Sequence, residues 1–307
     1  MEFSVLVSKM LIFSVLMLLG YVFARKGLVD KSFGRTASML VVNVFLPATI
    51  LNSAFTGEME LGPGGLLKVL LLTTLSLGIG YLIGFVVARL HPVGRDPQRG
   101  PVFELLLSLS NNMFIGMPVA QVLFGPTAVF YCAVSCIPFN LYTYTYGVWR
   151  LKGSSGGKMR LKDIFSVPLV ATLLAVLIFA LRLPVPAVVK DLTGVLNGAT
   201  MPMSLLVIGF TMGSVSLADG FKNKQHYLIS LIRLIVNPVL CWLLVRLFTD
   251  DPVLRMTCML LAASPCAVMA TVLAIQYGRD GVYGAEGVMQ STLLSIVTIP
   301  ALILILG

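Results

Sequence analysis

The chain has 307 residues, 57% of them hydrophobic and 11% charged, and its mean hydropathy of +0.95 excludes an ordinary soluble domain. The formal net charge of +9 does not indicate nucleic acid, because the cations sit in short segments between apolar runs instead of on one polar face. The five cysteines, Cys132, Cys136, Cys241, Cys258 and Cys266, all fall inside apolar runs, so neither a disulfide framework nor a metal set is expected.

Apolar runs of about 20 residues, enough to cross about 30 Å of hydrocarbon, recur along the whole chain. In order they cover 3–24, 33–54, 65–89, 101–123, 126–149, 165–182, 189–214, 226–248, 252–276 and 282–306. Ten spans predict an all-α integral membrane protein with no room for a soluble domain. The first begins MEFS, without the basic start of a signal peptide, so it reads as a retained helix. The sixth is the shortest.

Most of the 22 Lys and Arg lie in alternate loops: Arg25 to Arg35, Arg89 to Arg99, Arg150 to Lys162, Lys222 and Lys224, and Arg279. Acidic residues such as Glu58, Glu60, Asp250 and Asp251 fall on the other side, so the positive-inside rule places both termini outside. The longest inner connection, RLKGSSGGKMRLKD at 150–163, is a flexible basic linker. It separates a first five-helix repeat, 1–149, from a second, 165–307, with 150–164 as the cytoplasmic linker. Five helices per half reverse the second half's orientation, the layout of an inverted repeat. GSSGGKM within the linker is no phosphate loop, since Met159 stands where a hydroxyl is required and no strand precedes it. No cofactor is expected.

Helix-breaking residues recur at the second and fourth spans of each half. Span two carries NVFLP, with Asn43 and Pro47, and span seven NGATMP, with Asn197 and Pro202. Span four carries SNNMFIGMP, with its break expected over Asn111, Asn112, Gly116 and Pro118, and span nine AASPCA, with Ser264 and Pro265. A proline removes a backbone hydrogen bond, and inside lipid the freed groups need protein or water, so paired breaks point to a binding cavity. Asn111 and Asn112 offer amide donors suited to a carboxylate without burying a full charge, beside the positive end of the following half-helix. Ser264 and Cys266 flank Pro265 on the opposite side.

Ionisable residues within spans are candidate coupling groups: Glu104 in span four, Arg233 in span eight and Glu286 in span ten, all expected toward the inner ends. Lys68 reads as an interfacial anchor. His91 and His226 fall in inner loops, away from any buried relay. Tyr142, Tyr144 and Tyr146, at period two, spread over several helix faces and suggest an interface belt. An intramembrane enzyme would need a nucleophile and base or paired aspartates, and no aspartate lies deep in any span; an enzyme is not expected.

SNNMFIGMPVAQVLFG resembles the fourth-helix signature of the auxin efflux carrier family: asparagine, a short apolar stretch, Gly116, one apolar residue, Pro118, then Phe124 and Gly125. CIPFNLYTYTYGVWR, SLLVIGFTMG, ASPCAVMATVLAIQYG and STLLSIVTIP are similar in kind and follow in order through both halves. The resemblance implies a scaffold part from helices 1, 2, 6 and 7 and a transport part from helices 3–5 and 8–10, with helices 4 and 9 broken and crossing near the midplane. It implies that Asn140, two residues past Pro138, faces that crossing. A long loop between the halves, present in plant members, is replaced here by about fourteen residues, as in a compact bacterial member.

The expected function is therefore an elevator-type carrier of small organic anions in a bacterial inner membrane, with Asn111, Asn112, Gly116, Pro118, Asn140, Ser264 and Pro265 at the substrate. Membrane lipid surrounds it, no nucleic acid partner is expected, and the scaffold helices offer a homodimer surface. The alternatives are a sodium-coupled organic-anion symporter of the bile-acid type and a non-transporting receptor on the same fold.

Overall fold

The computed structural model describes residues 3–57, 64–153, 165–213 and 216–307. Glu58, Glu60 and linker residues 154–164, with Lys158, Arg160 and Lys162, lie outside the described residues.

The described chain is helical throughout, without a strand longer than one isolated bridge. The helices are α1 Phe3–Arg25, α2 Lys31–Leu40, α3 Leu46–Thr56, α4 Gly65–Leu90, α5 Gly100–Ser108, α6 Met117–Val134, α7 Cys136–Tyr142 and α8 Val148–Lys152. Then follow α9 Val167–Leu181, α10 Ala187–Gly213, α11 Leu217–Lys222, α12 Lys224–Leu231, α13 Asn237–Val245, α14 Pro252–Ala263, α15 Val268–Gln276 and α16 Gly281–Leu306. Several continue into one another through wider π turns, so that among the described residues six helices are long and apolar enough to cross a membrane: Phe33–Thr56, Gly65–Leu90, Asn112–Lys152, Ala187–Gly213, Lys224–Val245 and Gly281–Leu306. Large apolar side chains such as Leu71, Leu82, Val195 and Ile305 are exposed on them, as lipid-facing residues must be.

Local sequence sets the ends. Asp30, Asp251 and Asp280 accept from the first-turn amides of α2, α14 and α16, and Ser166 does the same for α9; each side chain satisfies amides that a helix start leaves unpaired. Pro101 and Pro252 stand in first turns, where a missing N–H costs nothing. At Gly125, φ is +77°, a left-handed conformation open to glycine, and it separates α6 into two rods between the fourth and fifth predicted spans.

Three of the π turns, Val41–Phe45, Asn112–Gly116 and Ile232–Val236, each end two residues before a proline, Pro47, Pro118 and Pro238. In each, the carbonyl four residues before the proline, which has lost its N–H partner, lies inside the π turn, so the widened turn accommodates the unmatched group. Pro202 behaves differently: α10 runs through it without interruption, so span seven is not broken as its sequence suggests.

The chain forms two compact units. The first comprises the described residues within 1–71, 113–137 and 165–214. In it α1 lies against α10 with backbones nearly touching: a Cβ on Gly209 would stand 2.1 Å from the Met17 carbonyl oxygen, and one on Gly20 2.3 Å from that of Leu206. Thr49 and Thr200 join hydroxyls at 2.6 Å, tying α3 to α10, and the Thr172 hydroxyl donates to Ala133 O at 3.2 Å, tying α9 to α6.

The second unit comprises the described residues within 72–112, 138–164 and 215–307. Its core gathers Val102 to Leu109 of α5 and the residue after it, Cys266 to Ala274 around α15, and Tyr283 and Val288 of α16.

Candidate functional site

The two interrupted helices of the second unit meet at their breaks. α5 ends at Ser108 and its C-cap Leu109 is extended, with φ −87° and ψ 123°. α14 ends at Ala263 and Ser264 is extended, with φ −61° and ψ 139°. The reason differs on the two sides. Ser264 precedes Pro265, which disfavours the helical conformation at that position. The run Ser108, Ser110, Asn111 carries short polar side chains that compete with helical hydrogen bonding.

The freed backbone groups satisfy each other. Ser110 and Cys266 form an isolated antiparallel bridge. Asn111 N donates to Pro265 O at 2.8 Å and Ala267 N to Leu109 O at 2.9 Å, while Cys266 N donates to the Ser291 hydroxyl at 3.1 Å. The break on the fourth span is thus at Leu109–Asn111, corrected from the expected Asn111 to Pro118. Gly116 is helical, with φ −57° and ψ −52°, and Pro118 follows the π turn Asn112–Gly116 inside the helical run Asn112–Lys152; both belong to the first compact unit.

The crossing is polar and incompletely satisfied from within. The Ser110 hydroxyl, the Asn111 amide nitrogen and both ends of the Asn112 amide are buried without a hydrogen-bond partner. Buried polar groups are normally paired, and each unpaired one costs roughly 1–3 kcal/mol, so this cluster makes the bend the candidate binding position. Asn140 is buried on α7 in the same unit. The Ser264 hydroxyl is already taken, donating to Leu260 O at 2.9 Å.

The three coupling candidates have separate settings. Glu104 is fully buried on α5; its carboxylate accepts from Arg150 Nε at 2.6 Å and from the Tyr146 hydroxyl, with Arg89 at 3.8 Å. Arg233 is not near an end of its helix, as the sequence suggests, but at the crossing, where its Nε donates to Ser264 O at 3.1 Å and its Nη1 to Leu107 O and Ser108 O at 3.2 and 3.3 Å. Its π turn starts eight residues into Lys224–Val245, and at about 1.5 Å per residue that carries the side chain to mid-helix. Glu286 is part-buried on α16, its backbone against Gly220.

Two further expectations are corrected. His226 is a fully buried helical residue of α12, its ring 4.7 Å from that of Tyr283; Asn223 caps the helix just ahead of it and draws it in from the loop. Tyr142 and Tyr146 do not form an interface belt. Tyr142 stacks on Tyr81 with centroids 3.6 Å apart and donates to the Ser108 hydroxyl at 3.2 Å, while Tyr146, four residues on and so on the same helix face, donates to Glu104.

Sequence reasoning missed Asn237, Tyr81 and Gln290. The Asn237 amide nitrogen donates to Ala262 O at 3.2 Å, and its signal was the Asn-Pro pair inside span eight. The Tyr81 hydroxyl and the Gln290 amide nitrogen are buried and unpartnered; a glutamine midway through an apolar span was the available sign for the latter. Among the described residues no group of His, Cys, Asp and Glu could hold a metal ion.

Long apolar helices with lipid-type surfaces, and a buried polar crossing, define a multi-pass helical membrane protein. The chain belongs to the membrane transport protein family, whose profile matches residues 5–159 and 153–303; this is the auxin efflux carrier-like family that its motifs resemble, a family of transporters and not of enzymes. It is 26% identical over 292 residues to an uncharacterised transporter of Methanothermobacter thermautotrophicus (strain Delta H), with 93% of each chain covered.

Proposed function

We propose that the protein carries small organic anions, carboxylic acids foremost, by elevator-type alternating access. The carried anion binds at the crossing, and the ten spans form a five-plus-five inverted repeat in a bacterial cytoplasmic membrane with both termini outside. The single observation that supports the site is the cluster of unpartnered buried groups at Ser110, Asn111 and Asn112. Three of them are donors, and none of these residues is acidic. A carboxylate accepts several hydrogen bonds at once, so it matches a donor-rich bend better than a cation does.

α15 starts at Val268 with no side-chain cap, leaving the positive end of a helix free for an anion. The Arg233 guanidinium lies within the same unit, its charge set against the carbonyl ends of α5 and α14. Asn140 is assigned to the same site, and Gly116 and Pro118 to shaping the helix that follows Asn112 in sequence.

The test is a thermal-shift screen of small carboxylic acids on the purified protein, followed by affinity measurements on Asn111→Ala and Asn112→Ala. Each lost charge-assisted bond is worth roughly 1.5–3 kcal/mol, so the affinity of each folded variant should fall about ten- to a hundredfold. Unchanged affinity in both variants removes the site assignment. Binding without uptake into proteoliposomes supports the receptor reading instead.

A further inference from the structure

Among the described residues Arg233 is the largest fully buried side chain, 1% exposed, and no carboxylate lies within ion-pair distance of it. Its partners are the carbonyl oxygens of Leu107, Ser108 and Ser264. These belong to the last turn of α5 and the C-cap of α14, where helix ends leave carbonyls unpaired and carry about half a negative charge each. Two such ends brought together away from water repel, and one monovalent cation shared between them turns that repulsion into attraction.

The surroundings are shaped to admit that cation. Asn237 covers the neighbouring carbonyl of Ala262 with a neutral donor. Gly80 on α4 leaves room for both side chains: a Cβ there would stand 3.1 Å from Arg233 Nη1 and 3.2 Å from the Asn237 amide nitrogen. The π turn Ile232–Val236 ahead of Pro238 sets the register that aims Arg233 at the crossing. In carriers with broken helices generally, half-helix C-terminal ends and unwound carbonyls are the ligands of coupled cations, and here those ligands are occupied by N–H donors of a residue that stays protonated at physiological pH.

We propose that Arg233 is a tethered cation that takes the position a coupled sodium ion would otherwise take between the two half-helices. It holds the crossing together and makes a co-transported cation unnecessary; the second consequence rests on the reading of the protein as an anion carrier, the first does not.

The experiment compares thermal unfolding of the purified full-length wild type, Arg233→Lys, Arg233→Gln and Arg233→Ala in sodium chloride, choline chloride and choline chloride with millimolar guanidinium. Wild type should melt at the same temperature in all three. Arg233→Ala should melt lower in choline and recover in guanidinium or sodium, as the vacated carbonyls accept a free cation. Arg233→Lys should melt above Arg233→Gln, because Lys keeps the charge and Gln keeps only a donor. If Arg233→Ala does not accumulate, Arg233→Gln carries the same three salt conditions.

Equal melting of the Lys and Gln variants, or no recovery of the uncharged variants in either cation, overturns the proposal and leaves Arg233 a packing residue. Sodium-specific stabilisation of the wild type overturns it as well. No substrate is present in these measurements, so they stand or fall independently of the anion-carrier reading, which the carboxylate screen addresses.

Discussion

Glu104 and Arg233 are charges buried in the same compact unit, and their partners give them different roles. Glu104 is held by Arg150 and Tyr146, 46 and 42 residues away in sequence, so α5 is joined to the end of the fifth span by a charged contact. Breaking a buried pair by removing one partner costs up to roughly 3–5 kcal/mol, less where one partner reaches water, as the Arg150 side chain does at 25% exposure. Glu104→Gln, which keeps a hydrogen bond, should therefore lower the melting temperature less than Glu104→Ala, and neither should abolish carboxylate binding at the crossing; thermal unfolding with and without ligand measures both. A variant that melts like wild type but shifts the pH profile of uptake would instead make Glu104 a coupling group. The sequence flags both charges, since an ionisable residue in an apolar span stands out. It does not reveal their partners. Arg233 binds carbonyls 126, 125 and 31 residues away, and a carbonyl belongs to every residue type.

At the scale of elements, the apolar runs give the helices almost to their ends, because length and hydropathy are what bilayer crossing selects. Breaks are harder to read. Pro47, Pro118 and Pro238 widen their helices into π turns, Pro265 ends one, and Pro202 leaves α10 continuous, so a proline alone does not distinguish the three outcomes. The α1–α10 contact shows a similar gap between residue type and role. Gly209 and Gly198 lie on the same helix, yet only at Gly209 would a Cβ meet backbone, 2.1 Å from Met17 O and 2.7 Å from Tyr21 N, while nothing lies within 4 Å at Gly198. An alanine in a helix is favoured over glycine by about 0.8–1.0 kcal/mol, whereas overpacking costs typically 1–3 kcal/mol. Gly198→Ala should thus hold or raise the melting temperature and Gly209→Ala should lower it; the same direction of change in both would remove close backbone packing as the basis of the contact.

For the whole molecule, orientation is the property that the sequence addresses through charge and the fold addresses through contact, and the two can be separated experimentally. Within the second unit, Arg279 Nε donates to Leu151 O at 2.6 Å and its Nη1 to Pro97 O at 2.8 Å, and Arg99 pairs with Asp280 at 2.9 Å. The segments around 97–99, 151 and 279 therefore lie together at one end of their helices, and Arg89, Arg95, Arg99, Arg150, Lys152 and Arg279 concentrate there. Asp250 and Asp251 precede α14, at the end of that unit reached after one full helix from Lys224. By the positive-inside rule the basic end is the one expected to face the cytoplasm, and labelling tests it. All five native cysteines are buried, so a membrane-impermeant maleimide should report on an introduced one. A cysteine within 153–157 and one at Gly278 should both label only from the cytoplasm, and one at Gly57 only from outside. Labelling of 153–157 and Gly278 together from the outside would reverse the orientation and leave the fold intact. Labelling of those two from opposite faces would contradict the Arg279 contacts, and with them the arrangement that brings the two broken helices to the crossing.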